Sequence, residues 1–277
     1  MTIVETKAAV RSELAPRRSS RIALVPTMGY LHEGHLSLVD RAREVADFVV
    51  LSIFVNPLQF GPGEDLATYP RDPDRDAALA RERGVDLVFA PSAGEMYAGE
   101  PAVRVVPVRM ADRLCGAFRP GHFEGVLTVV AKLFNVIQPD VAVFGQKDYQ
   151  QAVLIRAMVR DLDVPVEIEV APTVREPDGL AMSSRNEYLD DAARHRATRL
   201  WQGLRTATDA FRSGEQEPAR LCGRVEDALA DAAIEAEYVE LVNRETLEPL
   251  ELARPGGVLA VAAVVDGTRL IDNIVLE

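Results

Sequence analysis

Two of the chain's four histidines stand three residues apart in "VPTMGYLHEGHLSL", Val25 to Leu38, with Gly34 between them. Imidazoles so spaced can hold a metal, grip an anion or simply start a helix. A zinc site of the HExxH type needs its histidines four apart, and here no cysteine or third histidine lies nearby. A short apolar run, Arg21 to Met28, precedes the motif, and a helical pattern, His35 to Ala46, follows it. Free N–H groups at a helix start, backed by the helix dipole, favour an anion there. Gly29 permits a sharp turn and Gly34 lets a ligand approach the backbone. His32 and His35, about one turn apart, can then face one point, and as imidazolium donors they would stabilise charge developing on a phosphate. Two surface histidines at a helix start are the plain alternative.

Other segments carry residues suited to the same chemistry. In "GLAMSSRN", Gly179 to Asn186, Ser183 and Ser184 can hydrogen-bond phosphate oxygens and Arg185 offers a planar fork for them. The same serines make a good helix cap, and a capped helix start is also an anion site. The chain holds 28 arginines but only three lysines, Lys7, Lys132 and Lys147. Lys147, in "VFGQKDYQQ", directly follows an apolar strand, where a compact cation suits a phosphate chain. Asp148 beside it could orient a ribose or Lys147 itself. Asn56 and Gln59 in "SIFVNPLQFGPGEDLATYPRD", with Gln151, are neutral amides suited to a small substrate bearing hydroxyl and carboxylate groups; turn chemistry explains Asn56-Pro57 equally well. Asp72, Asp74 and Asp76 could help hold Mg²⁺, Asp76 foremost, but the cluster better fits the negative bias of a helix N-terminus. The glycines of "CGAFRPGHFEGV", Cys115 to Val126, point to a mobile loop covering the site.

These groups need elements to position them. Strand-like runs at Arg21 to Met28, Asp47 to Asn56, Val85 to Pro91, Asp140 to Gly145 and Val166 to Pro172 alternate with helical patterns. Continuous β-branched runs of this kind are typical of strands buried on both faces. The expectation is an α/β fold with a Rossmann-like doubly wound parallel sheet over residues 1–173, ligands binding at the carboxyl ends of its strands. Beyond Val174 long Ala/Arg-rich helices precede three alternating strands, which reads as a smaller α+β lid domain over 174–277. A net charge of −12 argues against nucleic acid as the main partner. Two distant cysteines fit a reducing compartment. No apolar run is long enough to span a membrane, and the first residues lack a signal-peptide core, so a cytoplasmic location is expected.

Taken in order, PTMGYLHEGH, FVNPLQFGPGEDLATYPRD, CGAFRPGHFEGV, FGQKDYQQ and TVREPDGLAMSSRNEYL resemble the pantoate–β-alanine ligases, members of the HxGH nucleotidyl-transferase superfamily. The resemblance runs from Ile22 to Leu189 and more loosely to the end, with nothing drawn from the first twenty residues. It implies a two-step reaction in which pantoate and MgATP give pantoyl adenylate and pyrophosphate, and β-alanine then displaces AMP. It also implies ATP contacts from Met28, Gly29, Tyr30, Leu31, His32, Glu33, Gly34 and His35, from Gly145, Gln146, Lys147 and Asp148, and from Val174, Met182, Ser183, Ser184 and Arg185. His32, His35, Lys147 and Arg185 would be the catalytic set. Gln59 would hold pantoate and β-alanine, Gln151 pantoate, and Asn56 would stand with them. A homodimer is implied. Where some relatives carry adjacent acidic residues after YPRD, this chain reads Asp74-Arg75-Asp76, so Mg²⁺ would be held mainly by ATP phosphates and water. The rival readings are a nucleotidyltransferase with a phosphorylated acceptor and a nucleotide sensor without turnover.

Overall fold

The structure, a computed structural model, describes all residues from Met1 to Glu277. In chain order the elements are β1 (Thr2–Val4), α1 (Lys7–Leu14), β2 (Ile22–Thr27), α2 (Glu33–Val45), β3 (Phe48–Ile53), α3 (Pro73–Glu82), β4 (Leu87–Phe89) and α4 (Ala93–Met96). They continue with α5 (Cys115–Phe118), α6 (His122–Ile137), β5 (Val141–Gly145), α7 (Tyr149–Asp161) and β6 (Glu167–Ala171). The last are α8 (Asp191–Ala197), α9 (Arg199–Arg212), α10 (Pro218–Ala230), β7 (Ala236–Val242), β8 (Val258–Val265) and β9 (Thr268–Val275).

The chain forms two compact units and does not divide at one cut. One comprises Met1–Val108, Arg119–Gly145 and Leu154–Pro172; the other comprises Arg109–Phe118, Gln146–Val153 and Thr173–Glu277. The expected single boundary at Val174 therefore misses two short excursions, one of them carrying Lys147.

In the first unit six strands make one parallel sheet in the order β1-β4-β3-β2-β5-β6. The Rossmann-like α/β reading is borne out, with one strand added. β1 is a half-exposed edge strand of three residues paired with β4, too short to show as a run of its own. β2 and β3 are buried almost throughout, because helices cover both sheet faces. α2 packs Leu36, Val39 and Ala42 against Val25, Leu51 and Val143 of the three central strands. The strand order reverses between β2 and β5, which puts the topological switch point, where ligands bind in such sheets, at the strand ends leading into Met28 and Gly145.

In the second unit β7, β8 and β9 form an antiparallel meander. Asp266 and Gly267, both at positive φ, make the two-residue turn of the β8–β9 hairpin. Side chains alternate across β8. Leu259, Val261 and Ala263 pack with Leu204, Leu221 and Val225 of α9 and α10. Val258 and Ala260 pack on the other face with Leu114, Val153 and Leu247. No helix is long and apolar enough to cross a membrane.

Candidate active site

The loop after β2 is held from below. Gly29 and Tyr30 both take positive φ, which turns the chain sharply between strand and helix. Asp76, on the first turn of α3, accepts the backbone N–H groups of Tyr30 at 2.8 Å and Leu31 at 2.7 Å. A Cβ on Gly29 would come within 2.9 Å of both Asp76 Oδ2 and Ile53. The candidate metal ligand of the sequence reading is thus a loop support: Asp76 is buried and its two oxygens are engaged by the backbone. Burial raises its pKa against the opposing pull of those N–H groups. Asp72 caps α3 through Arg75 N–H, and Asp74 joins Asp76 in the first turn, as a helix N-terminal bias requires.

His32 caps α2, its Nδ1 accepting the Gly34 N–H at 3.1 Å. With Nδ1 accepting, the ring N–H that His32 can offer an anion is on Nε2. His35, in the first helical turn, lies with its ring centroid 4.0 Å from that of His32. Both rings are half-buried at the dipole's positive end. Glu33 turns away, pairing with Arg83, which also holds Asp40 at 2.7 Å.

Asn56 and Gln59 follow β3 in a 3₁₀ turn, Pro57–Gln59. Asn56 is buried with its amide fully used. Its Nδ2 donates to Gln59 Oε1 and Gly125 O, both at 3.1 Å; its Oδ1 accepts from Leu58 N at 3.3 Å and Tyr97 Oη at 2.8 Å. The Asn56 amide therefore holds Gln59 in place, with each of its hydrogen-bonding directions engaged inside the protein. Gln59 is half-buried and donates to Met28 Sδ at 3.1 Å, which joins the β2 and β3 loops. The backbone of this turn is pinned from α6: His122 Nδ1 donates to Gln59 O at 2.8 Å and accepts at Nε2 from Arg119, whose guanidinium also grips Glu64 at 2.6 Å. Burial pushes the Glu64 carboxyl up, but the hydrogen bonds and charge of Arg119 outweigh it and hold the value below the ordinary range.

The segment expected to cover the site thus divides, Cys115–Phe118 belonging to the second unit and Arg119 onward anchoring the Gln59 turn. Tyr97, Arg119, His122 and Gly125 were not legible as site residues, since their partners lie far off in sequence. The sequence reading counts Gly125 among the glycines of a mobile loop, whereas it lies inside α6. A Cβ there would stand 2.3 Å from Leu58 O. Gly125→Ala is expected to push α6 off the turn and cost about 1–3 kcal/mol, measured by denaturant unfolding, with a raised KM for the substrate held by Gln59.

In the second unit, Gln146–Asp148 make a 3₁₀ turn leading into α7. Lys147 is half-buried and Asp148 exposed. Of the two neighbouring glutamines, Gln150 is buried and spends its Nε2 on Met110 O and Arg113 O, both at 2.8 Å, while Gln151 is half-buried. Val174 to Met182 double back as a tight hairpin: Met182 N–H donates to Val174 O at 3.0 Å, and Gly179, at φ +95°, closes the turn. Ser183 then caps the 3₁₀ turn Ser184–Tyr188, its hydroxyl accepting from Arg185 N at 3.3 Å. The capping and anion readings of this segment remain compatible.

No group of three His, Cys, Asp or Glu side chains could hold a metal ion. With Asp76 occupied, the donor set does not fit a resident Mg²⁺ held by carboxylates.

A sequence profile for the family described as pantoate-beta-alanine ligase matches residues 2–275. The match includes the N-terminal twenty residues that carried no visible motif, in keeping with β1 belonging to the sheet. The pantothenate synthetase of Moorella thermoacetica is 52% identical over 280 residues, covering 100% of this chain and 99% of the relative. The crystal structure of pantothenate synthetase from Thermus thermophilus superimposes with a TM-score of 0.96 at 49% identity, over 100% of this chain and 99% of that one. A pantoate-beta-alanine ligase from Francisella tularensis, solved with beta-gamma ATP and beta-alanine, gives a TM-score of 0.84 at 32% identity, over 99% and 97% of the two chains.

Proposed function

The chain belongs to the pantoate–β-alanine ligase family, and from that premise we propose how its residues share the ATP-dependent condensation of (R)-pantoate with β-alanine to pantothenate. A carboxylate oxygen of pantoate attacks the α-phosphorus of ATP, the bond to the β-phosphate oxygen breaks, and pyrophosphate leaves. The amine of β-alanine then attacks the acyl carbon, loses a proton and expels AMP. The observation that best supports the assignment of roles is the close His32–His35 ring pair, centroids 4.0 Å apart, on the helix start after a central strand of the sheet. Its N–H groups are set to stabilise charge that grows on the phosphates during adenylation.

Met28 through His35, Gly145 through Asp148, and Val174, Met182, Ser183, Ser184 and Arg185 are assigned to ATP. Lys147 and Arg185 supply the cations for the leaving phosphates, which an overall charge of −12 does not otherwise provide. Gln59 and Gln151 hold pantoate, and Gln59 also meets β-alanine. Asn56 positions Gln59. Mg²⁺ enters as part of the MgATP substrate, held by phosphates and water, since the carboxylate once eligible for it is spent on the Tyr30–Leu31 backbone. The protein works as a cytoplasmic homodimer, a state that sedimentation equilibrium measures directly.

Incubation with ATP and pantoate is expected to release pyrophosphate with or without β-alanine, and AMP when β-alanine is added. A nucleotidyltransferase acting on a phosphorylated acceptor would form no pyrophosphate with pantoate, and a sensor would bind ATP without turnover. Absence of pantoate-dependent pyrophosphate overturns the assignment.

A further inference from the structure

β9 reads "TRLIDNIV", an apolar strand interrupted by an acid and an amide, and both Asp272 and Asn273 are buried. Adjacent residues of a strand face opposite sides of its sheet. Leu270 packs with the α9–α10 core on the side of Asp272, and Val275 packs with Leu114 and Val153 on the side of Asn273. Each of the two polar side chains ends on a different loop.

On one face Asp272 binds Arg175 through two hydrogen bonds, Nη1 to Oδ2 at 2.6 Å and Nη2 to Oδ1 at 2.9 Å. Arg175 stacks on the ring of Trp201, its guanidinium carbon 3.6 Å from the centroid, and donates to Gly179 O at 3.2 Å. A Cβ on Gly179 would lie 2.1 Å from Trp201 Cδ1, so the hairpin turn is seated directly against the indole. This holds the base of the segment that ends in Ser183, Ser184 and Arg185. Burial pushes the Asp272 carboxyl up, and the opposing pulls come from Arg175, the Asn273 N–H and the charge of Lys147.

On the other face Asn273 Nδ2 donates to two successive carbonyls, Gln146 O at 3.0 Å and Lys147 O at 2.9 Å, while its Oδ1 accepts from Gln146 Nε2 at 3.4 Å. The amide thus fixes the backbone from which the Lys147 side chain departs. A buried Asp alone or Asn alone would be a packing detail. Two neighbours that each commit their side chain to a different loop form a common mount.

We propose that Asp272 and Asn273 are positioning residues that set the spacing of the Lys147 turn and the Ser183–Arg185 loop, so that both loops meet one triphosphate in register. The inference rests on the assignment of Lys147 and Ser183–Arg185 to ATP made above. Neither residue touches the substrate; each acts through the loop it carries, and the cost of removing it falls on ATP and not on β-alanine.

The test is a kinetic cycle on the full-length enzyme. Asn273→Asp keeps the shape and removes both donors; Asn273→Ala removes the amide; Asp272→Asn weakens the bidentate grip on Arg175. Each is expected to raise KM for ATP by about tenfold, the scale of one lost anchoring hydrogen bond, with KM for β-alanine changed by less than about twofold. KM does not depend on the fraction of molecules folded, so partial unfolding lowers only the amplitude. In a Lys147→Ala background the Asn273 substitutions are expected to add little, because a residue acting through Lys147 has nothing left to position. A lowered melting temperature with unchanged KM for ATP, or the same factor in both backgrounds, overturns the proposal. If Lys147→Ala itself leaves KM for ATP and the adenylation rate intact, the assignment of the ATP site fails instead, and the two failures are separable.

Discussion

Replacing His35 by alanine is expected to slow pyrophosphate formation from ATP and pantoate by about 10²-fold or more, the usual cost of losing one preorganised donor to a transition state. The rate should be measured in a single turnover, before β-alanine is added, so that the second chemical step cannot mask the first. The expectation rests on three local facts. His35 sits in the first turn of α2, where the helix start favours negative charge. Its ring packs at a tilt of 33° against that of His32 with centroids 4.0 Å apart, so its direction is not free. His32 in turn is fixed by accepting from Gly34 N–H at 3.1 Å, and Gly34 carries no side chain to block an approaching phosphate. A group that stabilises only developing charge should lower kcat and kcat/KM together and leave ATP affinity nearly unchanged. His32→Ala should combine a rate loss with a small loss of stability, because that ring is also the helix cap. Adenylation within about threefold of the parent in His35→Ala would remove the histidine pair from the chemistry and leave it as a helix start.

Much of this is legible in the sequence. Parallel strands covered on both faces must be apolar at every position, so β2, β3 and β5 announce themselves as continuous runs. The histidine turn was legible because strand, glycine turn and helix follow one another locally. What stayed hidden shares one cause: a polar residue whose partner is remote in sequence has no local signature. Asp76 reads as an ordinary acidic helix start, and nothing nearby tells that its carboxylate reaches back to Tyr30 and Leu31. Asn56-Pro57 reads as a turn, though its amide ties together Gln59, Tyr97 and Gly125. β1, three residues long and half-exposed, has too little burial to leave a pattern. The excursions Arg109–Phe118 and Gln146–Val153 escape because compact units are defined by packing, while a sequence invites a single cut.

Asp76→Ala is expected to be among the most damaging single substitutions in the first unit, although the residue touches no substrate. Two backbone N–H groups at a buried turn lose their acceptor at once, and each orphaned donor costs about 1–3 kcal/mol. Water cannot easily replace the carboxylate, since Asp76 is 1% exposed and the turn it supports packs against Ile53. The loop would be left to find another path between β2 and α2, and Gly29 and Tyr30 hold positive φ only while that path is fixed. Loss of stability in denaturant unfolding should therefore be accompanied by a rise in KM for ATP. Asp76→Asn separates support from metal binding. It keeps the shape, but its amide presents one acceptor and one NH₂ to two donors, so the turn should still be weakened. The Mg²⁺ concentration needed for half-maximal rate should not move, because both carboxylate oxygens are committed to backbone N–H groups. A shift of about tenfold in that concentration with stability intact would restore Asp76 as a ligand and would require the Tyr30 and Leu31 N–H groups to be satisfied elsewhere. The substitution therefore tests whether the acidic start of α3 acts on the phosphate or on the chain that holds the phosphate.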